Sequence, residues 1–353
     1  MMSLKKFFSL IFFAVPLIAA PIGNAADLEI NPRHPENYAV VAGDTLWEIA
    51  ARFLVHPWHW QDLWHANPQI DNPNLIYPGD IISIRIVDGQ AMAGITRGGA
   101  VIKLSPTIRK TALVEAIPTI PLNAIQPFLA RVRVTAPGEL EQAPYIVSQI
   151  DQRLTSTTGD YVYARGIISE KIAEKATHYD IYRAGRPYYG QAENGKASLL
   201  GIEAIPVGEA ELKRCGDPAS LLVTRSSSEI LAGDRLLPAE SDTFDRNFMP
   251  HAPDFPVEGR IIDVLGGLSR VSRFQTVVID KGRYDNLDVG HVLAIHQAGN
   301  VIKDPVTQEY ITLPEERSGL LMVFRVFDQL SYALVLEAQR EMQLLDMVRP
   351  PQP

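Results

Sequence analysis

The chain has 353 residues, which at roughly 150 residues per domain predicts two or three folding units. Hydrophobic residues make up 46% and charged residues 21%, which excludes a disordered, collagen-like or coiled-coil chain. The formal net charge is −8 and no run of Lys and Arg forms a basic patch. Nucleic acid, anionic lipid and lipopolysaccharide are therefore not expected as partners.

The first segment of the chain has the pattern of a secretory leader. Lys5 and Lys6 precede an apolar run over 7–20, and small residues follow up to Ala25. A spanning helix needs roughly 20 apolar residues, and this run is shorter. We therefore expect a signal peptide over 1–25 rather than a transmembrane anchor, and a protein that is periplasmic or secreted after cleavage near Ala25.

Residues 35–88 have the pattern of a compact βααβ unit. Thr45 and Glu48 have the spacing of a capping box, just after a Gly43-Asp44 turn. The apolar residues that follow recur at helical intervals and predict a first helix; they are Leu46, Ile49, Ala50 and Phe53.

A second helix is predicted to begin near Pro57 and to run to Ala66, where Asn67-Pro68 provides a stop. After a polar loop and a turn over 77–80, isoleucines alternate with polar residues over 82–86 and predict a half-buried strand.

Two segments of this unit resemble a known family. The first has the sequence YAVVAGDTLWEIA over 38–50, and the second has NLIYPGD over 74–80. In order and spacing they are similar to a LysM module, a βααβ fold that binds the N-acetylglucosamine glycan of peptidoglycan or chitin. One departure is the segment between the two helices, 54–60, which is longer and more aromatic than usual.

The resemblance implies a shallow groove between two loops, in which backbone donors and acceptors meet the N-acetyl groups. The implied glycan-binding residues are Gly43, Asp44, Thr45, Leu46, Asn74, Leu75, Ile76, Tyr77, Pro78 and Gly79. Another interpretation is that the first loop is a helix cap and the second a turn, and both roles are compatible.

All four tryptophans of the chain fall inside this unit: Trp47, Trp58, Trp60 and Trp64. Stacking on sugar faces is one explanation, but a unit of this size also needs large rings for its core. We expect at least two of the four to be packing residues.

Three histidines in the same unit, His56, His59 and His65, are spaced so that they can converge. Apart from Asp62, no Cys or carboxylate completes a ligand set, so no metal site is predicted. No cofactor is expected either.

Residues 89–127 are rich in Gly and Pro and predict a linker with one strand, over 100–104. Beyond it, short β-type runs are repeated, because 219–238 aligns without gaps on 331–350. The identical pairs are Leu222/Leu334, Val223/Val335, Glu229/Glu341, Asp234/Asp346 and Pro238/Pro350.

Upstream, 161–166 resembles 277–282, and 180–185 resembles 294–299, in the same order. We therefore expect a duplicated β module, with repeat 1 over 128–240, a Pro-rich linker over 241–255 and repeat 2 over 256–350. Each repeat is predicted to be a small barrel or sandwich. The predicted fold class is α+β and mainly β, a βααβ module followed by two tandem β-rich modules.

No catalytic motif is present in the sequence. The carboxylates Glu139, Glu141, Glu170 and Glu174 do not define a glycosidase pair, because such a pair has no sequence spacing of its own. Cys215 is the only cysteine and has no nearby His, so it is expected to be a spectator.

The favoured hypothesis is a non-catalytic peptidoglycan-binding protein that anchors or scaffolds envelope assembly and engages an envelope protein through residues 128–350. The alternative is a cell-wall hydrolase, or an activator of one, with an unrecognised C-terminal active site. A third hypothesis is a purely structural spacer.

Overall fold

The protein is described by a computed structural model that consists of one small α/β module and two β barrels. It describes residues 28–61, 75–87, 90–97, 116–129, 133–149, 154–167, 177–191, 196–239, 248–265, 270–297, 301–312 and 314–352. This architecture confirms the predicted fold class, α+β and mainly β. None of the helices within these ranges is long and apolar enough to cross a membrane.

The N-terminal module has a three-stranded antiparallel sheet in the order β1-β2-β3. Its elements are β1 (Asn37–Ala39), α1 (Leu46–Phe53), a 3-10 turn (Pro57–His59), β2 (Ile81–Val87) and β3 (Gln90–Thr96). Strand β3 pairs with β2 along its whole length, although its residues fall in the segment expected to be a linker. The sheet therefore extends beyond the expected boundary at residue 88.

Helix α1 confirms the predicted first helix. Its apolar positions lie on one buried stripe, with Ile49 and Phe53 fully buried. Thr45 is the N-cap, since its Oγ1 accepts a hydrogen bond from the Glu48 amide at 3.2 Å. Of the predicted second helix, the structure describes the 3-10 turn and the helical residues 60 and 61. Residues 62–74 lie outside the described ranges, and so does the strand predicted over 100–104.

Two helices and one edge strand connect the module to the barrels. They are α2 (Leu122–Leu129), β4 (Arg133–Thr135) and the single turn α3 (Glu139–Gln142). Helix α2 begins within the segment expected to be a linker with one strand.

The first barrel is closed by six strands in the cyclic order β5-β6-β9-β8-β7-β10, with β4 paired to the outside of β8. The strands are β5 (Tyr145–Gln149), β6 (Tyr161–Arg165), β7 (His178–Gln191), β8 (Ala197–Arg214), β9 (Ala219–Ser226) and β10 (Arg235–Pro238). Alternating residues from these strands fill its interior, as expected for a small barrel.

The second barrel is closed in the order β11-β13-β18-β17-β14-β20. Its strands are β11 (Gly259–Val264), β13 (Thr276–Ile279), β14 (Val292–Gln297), β17 (Glu316–Val326), β18 (Ser331–Ala338) and β20 (Met347–Arg349). Two short two-stranded antiparallel sheets lie outside the barrel. The first pairs β12 (Arg270–Val271) with β19 (Met342–Gln343), and the second pairs β15 (Val301–Lys303) with β16 (Tyr310–Thr312).

The two barrels have the same cyclic strand order when the strands are taken in chain order. Their turns also match in detail. The Ile146 amide donates to the Asp234 carbonyl at 2.9 Å, and the Ile261 amide donates to the Asp346 carbonyl at 3.0 Å. The aspartates of these bonds are one of the aligned identical pairs.

The strand pairing corrects one part of the sequence alignment. Tyr161 lies opposite Leu222, and Thr276 lies opposite Leu334. Since Leu222 and Leu334 are aligned, Tyr161 corresponds to Thr276, and the alignment of 161–166 on 277–282 is wrong by one residue. In a strand such a slip inverts which side chains face the interior.

The N-terminal module and the first barrel both pack on the second barrel. Trp47 and Trp58 belong to a buried cluster that includes Leu334 and Leu336 of β18. Beside this contact a cleft of about 700 Å³ separates α1 from β18. The Arg273 guanidinium forms an ion pair with the Glu48 carboxylate of α1 across this cleft, at 3.0 Å.

A long hairpin formed by β7 and β8 extends from the first barrel and packs on the second. The hydroxyls of Tyr188 and Tyr332 lie 3.2 Å apart in the buried contact. Burial raises the pKa of Tyr188 to about 12, so this phenol stays neutral. Residues 248–255 of the expected Pro-rich linker also lie on the second barrel, where the Val292 amide donates to the His251 carbonyl at 2.8 Å.

Candidate functional site

Two turns of the same kind frame the predicted glycan groove. Gly43 has a φ of +99° and precedes Asp44, while Gly79 has a φ of +98° and precedes Asp80. A positive φ at the third position is typical of a type II turn and favours glycine. A side chain at either position would be strained although both positions face open space.

Each turn is closed by the carboxylate of its aspartate. Oδ2 of Asp44 accepts from the Val41 amide at 2.9 Å, and Oδ2 of Asp80 accepts from the Tyr77 amide at 3.0 Å. The two loops are also tied together, because the Val40 amide donates to the Asp80 carbonyl at 2.8 Å. The groove walls are therefore held at a fixed separation.

Asp44 has a second partner in the neighbouring strand. The Tyr38 hydroxyl donates to Oδ2 of Asp44 at 2.9 Å, and the Arg52 guanidinium lies 4.7 Å from the centre of the Tyr38 ring. Burial, followed by the hydrogen bond to Asp44, raises the pKa of Tyr38. One oxygen of Asp44 is thus used twice inside the protein, which favours a role in holding the loop.

The hydroxyl of Thr45 is likewise used inside the protein. It accepts from the Glu48 amide and donates to Glu48 Oε2 at 3.3 Å, and the side chain is only 3% exposed. The Thr45 side chain is therefore poorly accessible to any ligand.

The structure separates the predicted glycan-binding residues by exposure. Gly43, Leu75 and Gly79 are exposed; Asp44, Tyr77 and Pro78 are half-buried; Thr45, Leu46 and Ile76 are buried; Asn74 lies outside the described residues. The two loops are adjacent as predicted, and the exposed members form their rims.

Residues 116–120, which we call the strap, lie against the end of α1 that faces the groove. The Leu46 amide donates to the Pro118 carbonyl at 2.9 Å. The Trp47 amide donates to the Thr119 carbonyl at 3.0 Å. The first amides of a helix have no partner within the helix, so the strap satisfies two donors that the groove would otherwise expose.

The strap also contacts the second loop. The Ile117 amide donates to the Ile76 carbonyl at 2.8 Å, and Ile117 packs in the core of the module with 8% of its surface exposed. Ile120 is fully buried in the cluster shared with the second barrel. This segment was expected to be part of a linker, whereas the alternation of Ile117 and Ile120 with prolines is the sequence signal for an extended, buried segment.

The described tryptophans are packing residues. Trp47 and Trp58 are 4% exposed and lie in the cluster shared with the second barrel. Trp60 is 5% exposed and lies in the core of the module. The expectation that at least two pack is confirmed, and Trp64 lies outside the described residues.

Two of the remaining candidate residues have structural partners. His56 Nε2 lies 3.5 Å from the Glu29 carboxylate, and burial lowers the pKa of His56. Glu139 accepts from the Ala136 amide and pairs with Arg133 at 3.2 Å. Within the described ranges no group of three His, Cys, Asp or Glu side chains could hold a metal ion. His65, Glu170 and Glu174 lie outside those ranges, and Cys215 is a half-buried free thiol.

Comparison with known protein families identifies a recognised class of module in this part of the chain. Residues 38–85 match the family described as LysM domain, and this range covers most of β1, all of α1 and most of β2. A search of curated proteins found no match for the chain. The match confirms the resemblance seen in the sequence, and a LysM domain indicates binding to a glycan of the peptidoglycan or chitin type.

Proposed function

We propose that the chain is a non-catalytic peptidoglycan-binding protein of the bacterial envelope. The observation that carries the proposal is the LysM match over 38–85, together with the two Gly-Asp turns that frame its groove. Backbone amides and carbonyls at the groove suit N-acetyl groups, and the exposed Leu75 suits their methyl groups and the faces of the sugar rings.

The proposed location is the periplasm or the outside of the cell. The leader pattern over 1–25 supports export, with cleavage near Ala25. In that location the LysM module holds the protein to the wall, and the β barrels anchor or scaffold envelope assembly.

The proposed partner of residues 128–350 is an envelope protein. The hairpin of β15 and β16 supports this, because it presents apolar side chains to solvent: Ile302, Val306, Tyr310 and Ile311 are 39%, 86%, 77% and 40% exposed. Clustered exposed apolar side chains are typical of protein interaction sites.

We further propose that the two barrels are copies of one module. Their common cyclic strand order and the matching turn hydrogen bonds at Asp234 and Asp346 support a duplication. Because the aligned polar pairs lie at turns, they suit a scaffold better than a pair of active sites.

The glycan groove is tested by removing its apolar rim in the full chain. Replacing both Leu75 and Tyr77 by alanine is expected to weaken binding to N-acetylglucosamine oligomers about thirtyfold, because each lost contact with a sugar face is worth about 1 kcal/mol. Binding is measured by calorimetric titration and by co-sedimentation with insoluble peptidoglycan.

The matched control replaces one leucine and one tyrosine outside the module. Leu154 and Tyr284 are 90% and 72% exposed, so their replacement by alanine should leave both affinity and stability unchanged. Equal loss of binding in both double variants, or none in either, would place the glycan site elsewhere.

The absence of catalysis is tested chemically, since a carboxylate pair has no sequence signature. Purified protein is expected to release no soluble muropeptides from peptidoglycan between about pH 5 and 8, where a His or a carboxylate of raised pKa would act. Release that persists on repurification and disappears on replacing a single Glu or Asp would establish the hydrolase alternative instead.

A further inference from the structure

We propose that the strap, residues 116–120, occupies the glycan groove of the LysM module in cis, and that the intact chain binds glycan only when the strap is released. The inference rests on the proposed glycan-binding function of that groove. It adds a regulatory contact between the module and the rest of the chain.

The strap uses the polar groups that a glycan needs. The amides of Leu46 and Trp47 are the first two of α1, and both donate to strap carbonyls at 2.9 and 3.0 Å. Across the groove, the Ile76 carbonyl accepts from the strap at 2.8 Å. Two donors on one wall and an acceptor on the other are thus satisfied by a peptide.

An N-acetyl group offers the same chemistry as a peptide unit, one carbonyl acceptor and one amide donor. A peptide in the groove and an N-acetylated sugar therefore compete for the same donors and acceptors. Each backbone donor makes one good hydrogen bond, so the two occupants exclude each other at Leu46 and Trp47.

Apolar burial holds the strap at both ends. Ile117 packs with Leu46 and Ile76 in the core of the module. Ile120 packs with Trp47 in the cluster that continues into the second barrel. Opening the groove therefore requires Ile117 to leave the module while Ile120 stays anchored between module and barrel, or the module to separate from the barrel as well.

The consequence for affinity follows from a two-state equilibrium. Only the open fraction binds glycan, so the apparent dissociation constant equals the intrinsic one divided by that fraction. A partner that binds the barrels and loosens the contact at Ile120 would raise the open fraction, and through it the affinity for the wall.

The test introduces a charge into the strap of the full chain. In Ile117→Asp the carboxylate is not accommodated in the apolar core, so the strap should be released, while Ile117→Val keeps both its packing and its amide. A soluble N-acetylglucosamine oligomer is titrated into each protein, and hydrogen exchange is followed at the Leu46 and Trp47 amides without glycan.

The expected result is slow exchange at both amides in the wild type and in Ile117→Val. In Ile117→Asp the exchange should be faster and the glycan affinity about tenfold higher, which corresponds to a tenfold larger open fraction. If Ile117→Asp does not fold, replacing 116–119 by Gly-Ser-Gly-Ser provides a second way to release the strap with Ile120 retained.

Two results would contradict the inference in distinguishable ways. Freed amides with unchanged affinity would show that the strap does not block the groove, and would leave the proposed glycan binding intact. Freed amides with no glycan binding by any of the variants would overturn the proposed function, and the strap would then be a structural segment only.

Discussion

Replacing Trp47 by alanine is expected to lower the free energy of unfolding by about 3 to 5 kcal/mol. The indole is 4% exposed and lies in the cluster that joins the N-terminal module to β18 of the second barrel. Its removal leaves a cavity at this contact. The backbone amide that donates to Thr119 is retained, so the loss reports on packing. Urea unfolding followed by circular dichroism measures it.

The control for this variant is Tyr284→Ala, because Tyr284 is 72% exposed and its replacement should change stability by less than about 0.5 kcal/mol. Trp47→Phe should lie between the two, since it keeps part of the apolar surface. A loss below about 1 kcal/mol for Trp47→Ala would mean that the module does not depend on the barrel for its packing.

The second large effect is a contrast between equivalent positions of the two barrels. Asp234→Asn is expected to cost about 2 to 3 kcal/mol, whereas Asp346→Asn should stay within about 1 kcal/mol of the wild type at pH 7. Both side chains are buried, and each accepts from the amide three residues earlier in its turn, at 2.8 and 2.9 Å.

The difference lies in the partners of the two carboxylates. Asp234 holds the Arg183 guanidinium through two hydrogen bonds of 2.9 and 2.8 Å, and an amide in its place would lose that charge pairing. In the second barrel the strand pairing places Gln297 at the position of Arg183.

Burial raises the pKa of Asp346, so this carboxyl group binds a proton more readily in the folded protein than in the unfolded chain. A raised folded pKa means that the contribution of Asp346 to stability is fully present below its unfolded value of about 3.9 and is lost as the pH rises. Asp346→Asn should therefore gain stability relative to the wild type as the pH rises above about 4. Equal costs for the two substitutions at pH 7, measured side by side in urea, would contradict this account.

Several features of the protein could be predicted from the sequence because they depend on residues close together in the chain. Helix α1 and its Thr45 cap follow from a helical pattern and a spacing of three residues. The Gly43 and Gly79 turns follow from a backbone conformation that favours glycine. These local features are also the ones that carry the LysM motif, so the class of module and the two loops of its groove could be identified without tertiary information.

The repeated β pattern was visible for the same reason, but its register was not. The alignment of Tyr161 with Val277 failed by one residue because short apolar runs look alike when shifted, and only pairing with Leu222 and Leu334 distinguishes the two registers. Whether such strands form a barrel or a sandwich depends on the pairing that closes the sheet, as between β8 and β9.

Only the tertiary structure shows which segment lies against the first turn of α1. Residues 116–120 contact the module across about 70 residues of chain from Leu46, and the alternation of isoleucine with proline in this segment does not indicate which surface it covers. The module also packs on the second barrel through Trp47 and Trp58; at least two of the four tryptophans were expected to be packing residues, but their partner in the second barrel was not predicted. Local sequence determined which elements form and which family the module resembles, while contacts between residues distant in the chain determined which backbone groups of its loops are already hydrogen-bonded within the protein.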